Sequence, residues 1–357
     1  MAKTAKHIII GSTEAYSGKS ATIIGLAAQA QAAGLSIAYG KPIGPLASDA
    51  TDSDVTFIQE TLALQPQQVH PTLVSLSADA VQRRVLGEDT QDYQAGLDQY
   101  QQCDSDLVLI EGPATLREGT LFDLSVAQIA QVLDAEVLLV FRYKPSTLID
   151  DILAAQGQLG DRLCGVVINN LPEDQTDHVD EVIRPFLEAK GIPLYGVLPY
   201  NELLLSVSVK ELVHQLDAEV LCRGDRLNLM VGTLKIGAMN VNSALKYFRK
   251  AHHMAVVTGG DRTDLQLAAL ETSTHCLILT GHIAPTPEVL QRADDLEVPI
   301  LAVDLDTLTT VEIIERAFGQ VRLHEAVKVQ CIRELVAEGF DLPRLLEHLG
   351  VSVAAAV

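Results

Sequence analysis

The run Gly11-Ser-Thr-Glu-Ala-Tyr-Ser-Gly-Lys-Ser20 constrains this chain more than any other stretch. Before it stands an apolar run, His7-Ile-Ile-Ile10, which reads as a short buried strand; after it, Ala21-Thr-Ile-Ile-Gly-Leu-Ala-Ala-Gln-Ala30 reads as a helix closed by Gly34. A glycine-containing loop between strand and helix, ending Gly-Lys-Ser, turns backbone N–H groups and the positive end of a helix dipole toward a phosphate. In that arrangement Gly18 lets the main chain approach the anion, Lys19 reaches the β- and γ-phosphates, and the Ser20 hydroxyl ligates Mg²⁺. Thr13, Glu14 and Ser17 complete the candidate phosphate loop. Thr13 occupies the place where the first glycine of the pattern usually falls, and a glycine-punctuated turn with an incidental lysine is the bland alternative.

Composition sets the frame for that loop. At 357 residues the chain is long enough for two domains, and with 4% aromatics and no Trp the core must be aliphatic. The formal charge of −21 argues against a nucleic-acid or anionic-membrane partner, so a phosphate site must be a local positive feature in a negative field. Cys103, Cys164, Cys222, Cys276 and Cys331 are scattered, with no Cys-x-x-Cys pair, which reads as buried thiols in a reducing compartment. Only a short apolar run precedes Gly11 and no run approaches membrane-spanning length, so a cytoplasmic location is expected. The ten histidines show no metal-ligand spacing.

Downstream of Gly34, Leu35-Ser-Ile-Ala-Tyr39 reads as a second strand ending at Gly40-Lys41-Pro42. Lys41 then lies at a strand's carboxyl end, where open α/β sheets bind ligands; it is a candidate phosphate or substrate contact, or an ordinary surface lysine. Ser48-Asp-Ala-Thr-Asp-Ser-Asp54 leads into a helix over residues 55–64, with Asp52 or Ser53 as N-cap and Asp54 placed either within that capping turn or as a Mg²⁺ ligand. A polar loop containing Pro66 and Pro71 precedes a helix over residues 90–102. Asp106-Leu-Val-Leu-Ile-Glu111-Gly-Pro113 is an aliphatic strand ending in an acid, so Glu111 fits a Walker B carboxylate holding Mg²⁺ or its water, or else a turn residue. Strands over 136–141, 163–168 and 192–199 alternate with helices over 123–133, 145–159 and 176–190, which predicts an α/β fold with a doubly wound parallel sheet. Asn169 and Asn170, after one of those strands, can read an adenine edge or stabilise an Asx turn.

With these motifs assembled, about the first 200 residues resemble the dethiobiotin synthetase family of P-loop proteins. That family carries a Thr in place of the first loop glycine, as Thr13 is here, a Lys-Pro matched by Lys41-Pro42, and an early helical acid matched by Asp54. Its Glu-Gly corresponds to Glu111-Gly112, its later Asn to the Asn169-Asn170 pair, and its Gly-x-x-Pro to Gly196-Val-Leu-Pro199. The resemblance implies ATP and Mg²⁺ as cofactors, with the base near Asn169, Asn170 and Pro199, and pairing of two copies across the nucleotide face. This sequence has Pro113-Ala-Thr115 where the synthetases continue with further glycines, and their substrate-binding stretches are not recognisable over 71–86.

From about Leu203 a second α/β unit begins, with strands over 254–257, 275–279 and 300–303 and helices over 242–250 and 265–271. Gly260-Asp-Arg-Thr-Asp264 carries a resemblance to the DRTGG domain. Its Gly259-Gly260 gives a tight turn, Thr263 or Asp264 caps the next helix, and Arg262 can fork onto a phosphate or carboxylate, or simply pair with Asp261 or Asp264. Gly260, Asp261, Arg262 and Thr263 therefore form a second candidate ligand site. The expected division is residues 1–210, 211–325 and a helical tail over 326–357.

A dethiobiotin synthetase-like domain followed by a DRTGG domain resembles the amino-terminal, regulation-associated portion of long bacterial phosphate acetyltransferases, without their catalytic domain. The leading expectation is an ATP- and Mg²⁺-binding regulatory or interaction protein, homodimeric, with the DRTGG-like domain sensing a small effector or a protein partner. The alternatives are an ATP-dependent ligase or carboxylase, in which Lys19 stabilises transferred charge and Lys41 orients substrate, and a degenerate P-loop kept as scaffold.

Overall fold

Short aliphatic strands, buried on both faces, alternate with helices and so build parallel sheets. The structure is a computed structural model that describes residues 5–44, 53–319, 323 and 325–352; Asp52, one of the two N-cap candidates, lies outside the described residues. The chain divides into two compact units, Met1–Tyr200 with His324–Val357, and Asn201–Leu323.

In the first unit seven strands form one sheet: β1 (Lys6–Gly11), β2 (Ile37–Gly40), β3 (Val69–His70), β4 (Leu107–Glu111), β5 (Glu136–Arg142), β6 (Leu163–Leu171) and β7 (Leu194–Pro199). Their order is β3-β2-β4-β1-β5-β6-β7, with every pairing parallel. Helices α1 (Lys19–Ala32), α2 (Ser53–Thr61), α3 (Ala78–Val85), α4 (Val126–Leu133), α5 (Leu148–Leu159) and α6 (Arg184–Ala189) belong to the same unit. Register sets Ile10 opposite Glu111 and Gly11 opposite Leu139, so the loop after β1 leaves the sheet between the carboxyl ends of β4 and β5. Gly34 closes α1 as expected: at φ 83 it lets its own N–H reach Gln31 O (2.9 Å) and that of Leu35 reach Ala30 O (3.0 Å).

Two stretches differ from expectation. The polar segment before residue 90 contains α3, capped by the Ser77 hydroxyl accepting from Ala80 N (3.0 Å); its short apolar stripe, Ala78, Val81 and Val85, is exposed and not buried against the sheet. The helix expected over 90–102 is instead a 3₁₀ turn at Gln94–Leu97 and a single turn at Asp98–Gln101, since only Leu97 and Tyr100 anchor it.

The second unit holds α7 (Val209–Leu216), β8 (Glu219–Cys222), β9 (Thr233–Gly237), α8 (Val241–Phe248), β10 (Met254–Gly259), α9 (Thr263–Leu270), β11 (Thr274–Thr280), α10 (Pro287–Asp295), β12 (Ile300–Val303) and α11 (Thr307–Gly319). Its sheet runs β8-β12-β11-β10-β9, parallel except for β8 against β12.

The last helices, α12 (Ala326–Gly339) and α13 (Leu342–Leu349), return to the first unit rather than standing apart as a tail. The apolar stripe Val329, Ile332, Val336 of α12 needs a partner helix, and α1 supplies one at Gly25. A Cβ on Gly25 would lie 2.4 Å from Val336 Cβ, so the two helices meet where α1 has no side chain. Phe340 bridges Gly196 of β7, and the Arg344 guanidinium forks onto Glu188 at 2.8 and 2.7 Å.

Candidate functional site

The phosphate loop is built from the sheet outward. Gly18, at φ 105, is the residue before α1, and the helix starts at Lys19 rather than at Ala21. Both the amide and the hydroxyl of Thr22 donate to Gly18 O (2.9 and 3.0 Å), which fixes the first turn. Lys19 is buried. Burial holds its ammonium below the ordinary lysine range, outweighing the opposite pull of Glu111, Glu118 and Glu14, while Lys41 pushes the same way as burial. A desolvated cation is stabilised by an anion such as phosphate.

Glu111, at the end of β4, is the centre of the polar cluster. The Ser20 hydroxyl donates to its Oε1 (2.8 Å) and the buried Tyr39 phenol donates to its Oε2 (2.8 Å). Two residues expected to hold Mg²⁺, Ser20 and Glu111, are thus adjacent, and a carboxylate beside a hydroxyl suits a hard cation that keeps several waters. Asp54, the third, is paired with Lys41: the ammonium donates to Asp54 Oδ2 at 2.8 Å. Among the described residues no three His, Cys, Asp or Glu side chains converge as a metal cage, so a cation here would rest on Ser20, Glu111, water and phosphate oxygens.

Asn169 buttresses the loop. Its Nδ2 donates to Ser17 O (2.8 Å) and its Oδ1 accepts from Asn170 N (2.8 Å), so its amide holds main chain on both sides; the second bond is to the next residue and not the two-residue bond of an Asx turn. Asn170 takes φ 61. A side chain on Gly18 would sit 2.2 Å from Asn169 Nδ2, a second reason for glycine there. Tyr16, at the crest of the loop, is exposed and left-handed at φ 55; Arg142 from the end of β5 donates to its carbonyl (2.8 Å), and Lys144 pairs with Glu14. Ser17 Oγ is buried and has no hydrogen-bond partner among the described residues, an orphan that an anion's oxygen acceptor would satisfy. Thr13 is half-buried, and Pro199 is exposed at the end of β7.

Sequence reasoning passed over Tyr39, Glu118, Arg142 and Lys144. Tyr39 was within reach, since it closes a strand two residues before Lys41; the others act across the fold with no local pattern.

In the second unit Arg262 is tied down. Its guanidinium donates to Asp264 (3.2 and 3.4 Å) and to Met239 O (3.2 Å), holding the Asp264 carboxyl below its ordinary range, and Arg262 itself takes the N-cap position of α9. The cap expected from Thr263 or Asp264 is therefore not formed; Thr263 is the first helical residue. Gly260 admits Ile283 O, which would lie 2.2 Å from any Cβ, and Asp261 Oδ1 would lie 2.5 Å from a Cβ on Gly259. Gln266, fully buried, donates to Gly259 O and Gly260 O at 3.0 Å each, bracing the turn from beneath.

A parallel sheet whose central strand opens into a Gly-Lys-Ser helix start, beside an acid-tipped strand, defines a P-loop domain, here followed by a smaller α/β unit. The chain belongs to the AAA domain family, which matches residues 6–208 and is of the dethiobiotin synthetase-like P-loop type; the DRTGG domain matches residues 211–317. The phosphate acetyltransferase of Synechocystis sp. is 24% identical over 366 residues, covering 96% of this chain and 51% of that protein. That of Nitratidesulfovibrio vulgaris is 25% identical over 368 residues with the same shares, 96% and 51%. The chain spans about half the length of the curated relatives it matches. A solved structure of the CBS and DRTGG domains of Clostridium perfringens pyrophosphatase, complexed with diadenosine tetraphosphate, overlaps at TM-score 0.28 and 18% identity, over 41% of this chain and 71% of that one. No helix among the described residues is long and apolar enough to cross a membrane.

Proposed function

We propose that this chain binds ATP with Mg²⁺ on its phosphate loop and serves as a regulatory or interaction module, related to the amino-terminal half of phosphate acetyltransferases. The observation that carries this reading is the Lys19–Ser20–Glu111 cluster. A buried ammonium, a hydroxyl and a carboxylate stand at one strand–helix junction, where N–H groups and a helix dipole add to the positive field. Lys19 and the loop amides from Thr13, Glu14, Ser17 and Gly18 would take the phosphates. Ser20 would ligate Mg²⁺, with Glu111 accepting from its water, and the cation would neutralise charge between phosphates. Asn170 and Pro199, at the ends of β6 and β7, would border the base. The DRTGG domain would take a small effector or a protein partner around Gly260, Asp261, Arg262 and Thr263, and two copies of the chain would pair across the nucleotide face.

The ligase reading asks for a substrate site, and the substrate-binding stretches of the synthetases are not recognisable over 71–86, so the regulatory reading is preferred. Calorimetric titration of the full chain with Mg-ATP tests it. Saturable binding that Lys19→Ala abolishes is expected, and an absence of heat in the wild-type protein at millimolar ATP would end the proposal.

A further inference from the structure

Three helices of the first unit meet at one corner, each joined to the next by a side chain reaching a main-chain carbonyl. Gln31 of α1 donates to Leu62 O just past α2 (3.0 Å), Arg333 of α12 donates to Thr61 O (2.8 Å), and Gln29 of α1 donates to Val336 O of α12 (2.6 Å). Thr61 is the last residue of α2, so its carbonyl is one that the helix leaves open, and a guanidinium there also meets the negative end of the dipole. The opposite ends of these helices carry Lys19 and Ser20 on α1 and Asp54 on α2. From Asp54 to Thr61, the last residue of α2, the helix is a rod of ~11 Å from the acid to the corner.

We propose that the Lys41–Asp54 pair distinguishes a nucleoside triphosphate from a diphosphate, and that α2 carries the outcome to α12. The inference rests on the nucleotide reading above and adds a direction of signalling to it. Lys41 lies close enough to Lys19 for their charges to oppose one another. A terminal phosphate bound by Lys19 therefore also draws Lys41 away from the Asp54 carboxylate. A diphosphate lacks that group and leaves the 2.8 Å pair standing. Asp54 sits in the first turn of α2, so its displacement moves the helix as a unit and loads the Arg333 bond at the far end. The element that receives the motion, α12, is the one that follows the DRTGG unit in the chain.

The test is hydrogen exchange of residues 326–339 in the full chain with Mg²⁺ and either the β,γ-imido analogue of ATP or ADP. Both nucleotides bind, and the triphosphate analogue speeds α12 exchange about fivefold or more relative to ADP. In Asp54→Asn, which lacks the ion pair with Lys41, the two nucleotides give equal exchange. Linkage is reciprocal, so Arg333→Lys, which keeps the charge and loses the planar fork, changes the ratio of triphosphate to diphosphate affinity. Equal α12 exchange in the wild-type protein with both nucleotides bound, or an affinity ratio untouched by Arg333→Lys, overturns the inference and leaves the nucleotide site standing. Failure of both nucleotides to bind overturns the nucleotide reading itself, and this inference with it.

Discussion

His70, at the edge of the first unit's sheet, sets a pH limit on this fold. It ends β3 and is 5% exposed, its ring stacked on Tyr100 with centroids 4.6 Å apart and its Nε2 buried without a partner among the described residues. Burial first, and the neighbouring His7 second, hold its imidazole down to about 4 from the ordinary 6.5. The unfolded chain therefore takes up a proton near 6.5 that the folded chain refuses until about 4. The sign follows: this contribution is complete above pH 6.5 and is lost as pH falls toward 4. At 1.36 kcal/mol per pH unit the whole window is worth ~3 kcal/mol, of which about 2 kcal/mol is lost between about pH 7.5 and about pH 5. Urea unfolding of the wild-type protein and His70→Phe across that range isolates it, because Phe keeps the stack on Tyr100 and carboxylates common to both proteins cancel. The wild-type stability should fall by about 2 kcal/mol more than the variant's. Profiles that stay parallel to within ~0.5 kcal/mol would refute the assignment of a buried neutral imidazole.

Other outcomes follow from single contacts. Gly18→Ala forces an alanine to φ 105 and against Asn169 Nδ2, so it should cost ~1–3 kcal/mol in chemical denaturation and abolish nucleotide binding while the far-UV spectrum persists. Tyr39→Phe leaves Glu111 Oε2 without its buried donor, which should lower stability by ~1–3 kcal/mol and weaken the Mg²⁺ dependence of nucleotide binding in calorimetry. Arg344→Ala removes a partly exposed fork on Glu188, so the urea midpoint should move by no more than ~1 kcal/mol in stability.

Much of the fold was legible because its signals are local. Aliphatic runs bounded by glycine and proline give strands, and the Gly-Lys-Ser terminus fixes one strand–loop–helix unit with its geometry. Glu111 was legible for the same reason, as an acid at the end of such a run. What escaped was relational. Lys41 and Asp54 were each assigned to a ligand, and nothing in a sequence separation of thirteen says that they hold each other. Asn169 is 152 residues from the Ser17 carbonyl it braces, and its amide looks like a base reader until that contact is known. The return of α12 to α1 depends on Gly25, a residue whose meaning is the space it leaves for Val336, 311 positions later. Helix α3 escaped for a different reason: it is two turns long, with its stripe of Ala78, Val81 and Val85 set among charged and amide residues.

Thermal unfolding of the purified chain with and without Mg-ATP, beside Lys19→Ala, tests the central claim most directly. At a hundred times the dissociation constant, ligand should add about 2.7 kcal/mol to the stability of the folded wild-type protein and nothing to the variant. A melting temperature unmoved by nucleotide in both would contradict the account and leave the loop as a scaffold.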